Sequence, residues 1–242
     1  MIQVFVKEVN GFLNSLIAYM VMGVFLTSMG LLMWVFPETS VLDYGYADMD
    51  TLFSMSPYVF IFLIPAITMK SFAEEKKMGT LELLFTKPLS DLEIIIGKWL
   101  ASFALVIVAL LPTLVYYFSV SRLGNPAGNI DTPGAIGSYI GLVLLGGVFC
   151  SVGIFASSLS SNQIVAFILA AFLCFILYAG FDSLSALWAV GEQSLFVKQF
   201  GMLSHYEALS KGLIDTRDLI YFLSVAGIMI MVTKTQIGSR QW

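Results

Sequence analysis

Few residues in this sequence have the types and spacing that catalysis requires. Glu74 and Glu75 are adjacent, as in the Glu-Glu-x-x-x-Arg motif of some intramembrane proteases, but Gly79 stands where the arginine is needed. The single histidine, His205, cannot supply a two-histidine metal site, and in a capped helix it is more often a polar surface residue. Gly97-Lys98 lacks the upstream glycine and following Ser or Thr of a phosphate-binding loop. The sequence therefore predicts no enzyme, and no metal, cofactor or nucleotide bound by this chain.

Charge is concentrated in one stretch of an otherwise apolar chain. Of 12 basic and 16 acidic residues, 10 fall between Lys70 and Lys98. The whole chain is 58% hydrophobic and 12% charged, with a mean hydropathy of +0.89. Soluble proteins are about half apolar and a quarter charged. The composition predicts an integral membrane protein, and the net charge of -4, with no basic patch, predicts no nucleic-acid partner.

Six apolar stretches are long enough, or nearly so, to cross a bilayer, which takes about 20 residues in a helix. They are Phe12–Phe36, Thr51–Met69, Trp99–Val120, Ala135–Ser157, Ile164–Phe181 and Leu219–Val232. None of them contains Lys, Arg, Asp, Glu or His. This disfavours ion-coupled transport. Because backbone carbonyls could still hold an ion, a secondary transporter is retained as an alternative function. The first stretch is longer than the apolar region of a signal peptide and no cleavage motif follows it, so we expect it to be retained.

The basic residues predict the orientation of the chain. Eight of them flank the spans on one side and four on the other. Because cytoplasmic loops are richer in Lys and Arg, we expect both termini and the Lys70–Lys98 segment in the cytoplasm.

Short patterns predict several helices. Residues 1–11 carry apolar side chains at helical spacing, which is typical of a helix in the membrane interface. Ser90-Asp91-Leu92-Glu93 and Ser204-His205-Tyr206-Glu207 have the pattern of a capping box. Ser56-Pro57 resembles a helix start, and Gly212 a helix end. Residues 182–217 are therefore expected to hold short outer helices, one over Ser204–Gly212.

A second outer helix is predicted over Ser183–Gln199, with Leu184, Leu187, Trp188 and Leu195 on one side. Pro65 and Pro112 lie deep in apolar stretches and predict kinks. Cys150 and Cys174 lie inside spans, where packing is favoured over a disulfide. Gly137-Ser-Tyr-Ile-Gly141 allows close helix packing, either between two copies of the chain or within one.

The charged stretch also contains a possible docking element. Helical spacing places Met78, Leu81, Leu84 and Phe85 on one side, with Gly79, Glu82 and Thr86 opposite. A short amphipathic helix ending at Pro88 could lie under the bilayer, and Gly79-Thr80 would allow either close approach or a helix start. A solvated loop whose lysines only set the topology is an equal alternative.

The same residues carry a family resemblance. The stretch "EEKKMGTLELLFTKPLSDLEIIIGKWL" resembles the cytoplasmic loop of ABC-2 type transporter permeases, which have acidic residues, Gly-Thr, Glu-x-Leu-Leu, Pro and Gly-Lys in this order. The resemblance implies an all-α membrane fold with six spans, an interfacial helix at 1–11, a coupling segment at 70–98 and outer helices at 182–217, all within one domain, 1–242. It also implies a set of residues that contact a separate ATPase. These are Glu74, Glu75, Lys76, Lys77, Gly79, Thr80, Glu82, Leu83, Lys87 and Pro88.

A narrower resemblance is to the permeases of gliding-motility ABC transporters. It is carried by "FIFLIPAITMKSFAEEKKMGT", which related permeases share, by "LGNPAGNIDTPGAIGSYIGL" and "SSNQIVAFILA", and by the ending "LIDTRDLIYFLSV" with "GSRQW". Copper-processing ABC permeases have a similar layout. The resemblance implies a location in a bacterial inner membrane. It also implies a cytoplasmic ATPase that holds ATP and Mg, a second permease protomer, surrounding lipids and a companion subunit with an extracytoplasmic part. A membrane scaffold that moves no substrate is the alternative function.

Overall fold

The computed structural model describes residues 1–81, 89–186 and 197–239, and every regular element within them is a helix. The α-helices are α1 Ile2–Leu13, α2 Leu16–Trp34, α3 Val41–Tyr44, α4 Asp50–Thr68, α5 Lys70–Lys77, α6 Asp91–Leu110, α7 Leu114–Leu123, α8 Thr132–Leu159, α9 Gln163–Phe175, α10 Phe181–Ser185, α11 Met202–Ser210 and α12 Thr216–Gly238. A 3-10 turn, Leu111–Thr113, joins α6 to α7, and a π-helical turn, Ile176–Gly180, joins α9 to α10.

Six helical runs in the described residues are long and apolar enough to cross a membrane. They are Leu16–Trp34, Asp50–Lys77, Asp91–Leu123, Thr132–Leu159, Gln163–Ser185 and Thr216–Gly238. Each overlaps one predicted stretch, which confirms the all-helical fold with six spans. The second and third runs extend beyond the predicted ends, and they bring Glu75 and Lys98 into the membrane-length helices.

Helix α8 is the centre of the bundle. It packs against α4, α6, α9, α11 and α12, and its inner residues form much of the core. Small side chains make this possible: a Cβ at Gly153 would overlap the Thr68 hydroxyl of α4. Cys150 and Cys174 are buried in this core as free thiols, so packing is their role.

The prolines of the second and third spans act differently from one another. Pro57 was predicted to start a helix, but α4 begins at Asp50 and Pro57 lies inside it. This prediction is wrong because a membrane helix tolerates proline when its neighbours accommodate the missing hydrogen bond. Pro65 is also internal, and α4 ends three residues beyond it, at Thr68. At Pro112 the α-helix gives way to the 3-10 turn.

Helix α11 covers α8 at the end of the bundle opposite α5. It begins at Met202, so the capping box predicted at Ser204 is wrong. The Ser204 hydroxyl instead donates to the carbonyls of Lys198 and Gly201, at 2.9 and 3.0 Å. Gly212, with a φ of +76°, follows the C-cap residue of α11, Lys211, and confirms the predicted helix end.

The Gly137-to-Gly141 stretch packs within the chain. A Cβ at Gly137 would overlap the Leu209 carbonyl oxygen, and a Cβ at Gly141 would lie 3.0 Å from the Tyr206 ring. Both neighbours belong to α11, so the structure accounts for this small-residue stretch by intrachain packing. The helix predicted over Ser183–Gln199 is described only at its two ends. Leu187, Trp188 and Leu195 lie outside the described residues.

Candidate functional site

The charged stretch starts as a continuation of the second span. After a break at Met69, helix α5 carries the chain on and ends where Gly79 adopts a φ of +68°. Gly79 N–H donates to the Lys76 carbonyl at 3.3 Å, and Thr80 N–H donates to the Glu75 carbonyl at 3.0 Å. Glycine is favoured here because a side chain is strained at positive φ. Met78 therefore closes α5 and does not belong to the predicted amphipathic helix, whereas Leu81, directly after Gly79-Thr80, is helical, in agreement with the expected helix start at this pair.

Part of the predicted docking set falls outside the described residues. These are Glu82, Leu83, Lys87 and Pro88, together with Leu84, Phe85 and Thr86 of the predicted amphipathic helix. The residues that flank this segment, Leu81 and Leu89, both pack on a small apolar cluster. That cluster consists of Phe72, Ile94, Ile95, Ile154 and Ile237. Both ends of the segment are thereby attached to the membrane helices.

The described members of the docking set differ in exposure. Lys77 and Gly79 are exposed, while Glu74 and Thr80 are half-buried. Glu75 is only 8% exposed and turns into the protein. The Lys76 ammonium donates to the carbonyl of Ser158, near the end of α8. Glu75 and Lys76 therefore hold α5 in place, a role that their position in the sequence did not reveal.

Glu75 belongs to an ion cluster formed by Lys7, Glu8, Glu75 and Lys98. The Lys98 ammonium is 2.8 Å from Glu8 Oε1, 3.0 Å from Glu75 Oε1 and 2.7 Å from the Ser71 carbonyl. These three acceptors match the three donors of an ammonium group. The Lys98 side chain is 1% exposed. A charge buried to this extent is tolerated only when it is paired and hydrogen-bonded.

The ion cluster joins three helices. Glu75 Oε1 is also 3.2 Å from Lys7 Nζ, so α5 is bonded to both α1 and α6. Glu8, the second carboxylate on Lys98, comes from α1 as well. These residues are far apart in the sequence and belong to three different helices. A displacement of α5 must therefore either move α1 and α6 with it or break buried ion pairs.

Gly97 lets α1 come close enough to α6 for these contacts. A Cβ at position 97 would lie 2.9 Å from the Val4 Cβ of α1. Val4 itself is 5% exposed. The capping box predicted at the start of α6 is confirmed: Ser90 Oγ accepts from Glu93 N at 3.3 Å, and Glu93 Oε2 accepts from Ser90 N at 3.0 Å. The Gly97-Lys98 pair of the sequence motif thus docks α1.

Sequence reasoning missed the ion cluster because it placed Lys98 just outside the third span. The signal was present, since Lys98 follows three isoleucines and a glycine and precedes a long apolar run. An ionisable residue in such surroundings is usually paired.

A second set of contacts attaches α5 to the end of α8. The Ser157 hydroxyl accepts from the N–H groups of Phe72 and Ala73, at 2.9 and 3.0 Å, and donates to the Met69 carbonyl at 2.9 Å. These backbone groups lie beside the break between α4 and α5. Ser157 therefore supplies hydrogen bonds that the interrupted helix lacks, and it fixes the angle at which α5 leaves the second span.

The fold and the comparisons agree on the class of protein. A bundle with six membrane-length helices in its described residues is a multi-pass membrane protein. The family model described as "ABC-2 family transporter protein" matches residues 13–237, so the chain belongs to that family and is a membrane permease subunit. Membership implies partnership with an ATPase subunit, typically in a dimer. Comparison with curated proteins gives no match.

Proposed function

We propose that this permease couples ATP hydrolysis by a separate cytoplasmic ATPase to a conformational change, or to export, across the membrane. The supporting observation is that α5 is held at once by α1, α6 and α8, through the ion cluster, Ser157 and Lys76. A force applied near Gly79 would therefore move several spans together. ATP and Mg belong to the ATPase, and this chain binds no cofactor.

The docking surface comprises the exposed end of α5 and the segment that follows it. Glu74, Lys77, Gly79 and Thr80 border the described part of this surface. Glu82, Leu83, Lys87 and Pro88 complete it. Glu75 and Lys76 act from behind the surface by positioning α5. The coupling segment at 70–98 and both termini then lie in the cytoplasm, and residues 182–217 lie outside.

The particular system we propose is the gliding-motility ABC transporter, with this chain as a permease of the GldF type in the bacterial inner membrane. Support comes from the outer stretch 123–142 and the C-terminal residues, whose sequences resemble that group. The partners would be a second protomer, as a homodimer, and a companion gliding subunit with an extracytoplasmic domain.

Docking can be tested by exchanging one apolar side chain in the segment for a charge. We expect Leu83→Asp to lower co-purification of the ATPase by about tenfold or more, because a charge at an apolar interface hot spot costs at least about 2 kcal/mol. The measurement is a detergent pull-down of the tagged chain with mass spectrometry, followed by ATPase assays on the purified complex.

The matched control is Leu213→Asp. Leu213 is 66% exposed and lies in the loop between α11 and α12, at the opposite end of the bundle. It should leave ATPase binding unchanged. Equal recovery of a P-loop ATPase with Leu83→Asp and with the wild type would overturn the docking assignment.

A scaffold that changes shape without moving a solute is the alternative. One observation favours it: a groove of about 650 Å³ beside α2, α4 and α9 is almost entirely apolar and gives a polar solute no route. A lipidic or peptide substrate would fit the same groove. ATP-dependent movement of a labelled lipid or peptide in proteoliposomes, lost with Leu83→Asp, would exclude the scaffold.

A further inference from the structure

A cavity of about 340 Å³ lies beside the ion cluster, between α1 and α5. Its charged lining consists of Lys7, Lys70, Lys98, Glu8, Glu74 and Glu75. Three ammonium groups and three carboxylates balance, so the cavity favours neither a simple anion nor a simple cation. It has room for about ten water molecules at about 30 Å³ each, and Lys7, with a side chain 62% exposed, places its opening at the surface.

Two buried polar atoms of the lining residues have no hydrogen-bond partner within the described part of the chain. They are Ser71 Oγ and Glu75 Oε2, in residues that are 4% and 8% exposed. A buried carboxylate oxygen without a donor is costly. Both atoms have less than 1 Å² of accessible surface, so an occupant of the cavity does not reach them directly. Among the lining carboxylates, Glu8 is already paired with Lys98, which leaves the half-buried Glu74 as the acceptor for an occupant that brings N–H donors.

The position of the cavity along the spans indicates where that occupant comes from. Ser15 lines the cavity, and the first span begins at the next residue, Leu16. Lys70 lines it from the other side, directly after the end of α4 at Thr68 and the break at Met69. The cavity thus lies where the apolar parts of two spans end, at the level of lipid headgroups.

We propose that this cavity binds the phosphoethanolamine headgroup of a membrane phospholipid. The primary ammonium would donate to the half-buried carboxylate of Glu74, and the phosphate would pair with Lys70 and Lys7. A choline headgroup has no N–H to donate, and a glycerol headgroup has no positive charge for the carboxylates. Phe12 and Met78, also in the lining, offer apolar contacts to the start of the acyl chains.

The test uses the full-length permease in detergent and native mass spectrometry with dioleoyl lipids that differ only in headgroup. We expect phosphatidylethanolamine to be retained about tenfold better than phosphatidylcholine or phosphatidylglycerol. A tenfold difference in affinity corresponds to the free energy of about one charge-assisted hydrogen bond. Soluble phosphoethanolamine at the same concentration should not displace the lipid. No ATPase is needed, so this test is independent of the docking proposal.

Gly11→Leu provides a steric block. Gly11 lines the cavity, and a Cβ there meets nothing within 4 Å, so the larger side chain can enter the open space without displacing the backbone. Gly23→Leu is the matched control, because Gly23 lies in α2, away from the cavity, with equally open surroundings. Gly11→Leu should remove the preference for phosphatidylethanolamine, and Gly23→Leu should keep it.

Three results would overturn the proposal. Equal retention of the three lipids by the wild type would mean that the cavity holds only solvent. Equal preference in Gly11→Leu and Gly23→Leu would place the lipid elsewhere. Displacement by soluble phosphoethanolamine would show that the cavity does not select a lipid.

Discussion

The two ends of the helix bundle are held together differently, although ion pairs occur at both, as between His205 and Asp218 at the end that carries α11. At the end that carries α5, charged and hydroxyl side chains connect α1, α5, α6 and α8. At the opposite end, α11 lies directly on α8 because glycines leave room for it. A buried hydrogen bond, from the Tyr206 hydroxyl to the Phe53 carbonyl at 2.7 Å, attaches α11 to α4. We call these the charged end and the packed end.

The difference suggests different mechanical roles. Ion pairs and hydrogen bonds at the charged end link helices that are far apart in sequence, and they keep their partners only in one geometry. A displacement of α5 is therefore passed on to its neighbours. At the packed end, Gly137 and Gly141 of α8 leave no room for a Cβ against α11, so small shifts of these two helices toward each other meet steric resistance at once. We infer that the charged end transmits motion and that the packed end resists it.

Removing the central cation of the charged end should have the largest effect. Lys98→Met keeps most of the side-chain volume but leaves Glu8 and Glu75 without their shared ammonium. Breaking a buried ion pair in this way costs about 3–5 kcal/mol. We expect a corresponding loss in the free energy of unfolding, measured in detergent by denaturant or heat.

Lys77→Met is the control for this change. Lys77 lies on the same short helix as Glu75 but is exposed, so its replacement should shift the free energy of unfolding by no more than about 0.5 kcal/mol. If both variants lose equal stability, the ion cluster is not what joins α1, α5 and α6.

The sequence was sufficient for features that depend on local physics. Hydropathy located the six spans, and the capping box at Ser90 was correct because all of its atoms lie within one turn. The equivalent pattern at Ser204 failed because α11 begins two residues earlier, at Met202, which places Ser204 inside the first turn. Its hydroxyl bonds to the carbonyls of Lys198 and Gly201, six and three residues before it.

The site could be predicted only in outline. The sequence identified the charged stretch, but it could not separate Glu74 from Glu75, since only the placement of α1 decides which carboxylate is buried. Ser157, about 85 residues away from its partners, carried no recognisable signal. Contacts between distant helices are outside what spacing along the chain can indicate.

A methyl group should be enough to disturb the packed end. Gly137→Ala places a Cβ against the Leu209 carbonyl oxygen, and overpacking of this kind costs about 1–3 kcal/mol. We expect lower stability together with faster trypsin cleavage at Lys211, which follows α11. Gly227→Ala is the matched control, because a Cβ there meets nothing within 4 Å and alanine favours a helix by about 0.5–1 kcal/mol. Greater stability in both variants would contradict close packing at Gly137.

The smallest expected effect comes from Asp48 at the packed end, because its surroundings disfavour the ionised form of its carboxyl group. Burial, and then the neighbouring Asp50, raise the pKa of Asp48, although an N–H of Asp50 donates to its carboxylate at 3.3 Å. The folded-state pKa therefore lies above the unfolded one. The ionised carboxylate destabilises the fold above the folded-state pKa, and this penalty disappears as the pH falls below the unfolded value.

Asp48→Asn should consequently stabilise the protein at pH 7 and lose that advantage in acid. Solvent screening of a partly exposed group limits the gain to about 0.5 kcal/mol. The measurement is the difference in unfolding free energy between variant and wild type as a function of pH, with Asp43→Asn, at an exposed carboxylate, as the control. A stability gain that grows toward low pH would have the wrong sign. It would show that the folded protein stabilises the ionised form of Asp48, as it stabilises the charges around Lys98. The two ends of the bundle would then treat their charged groups alike.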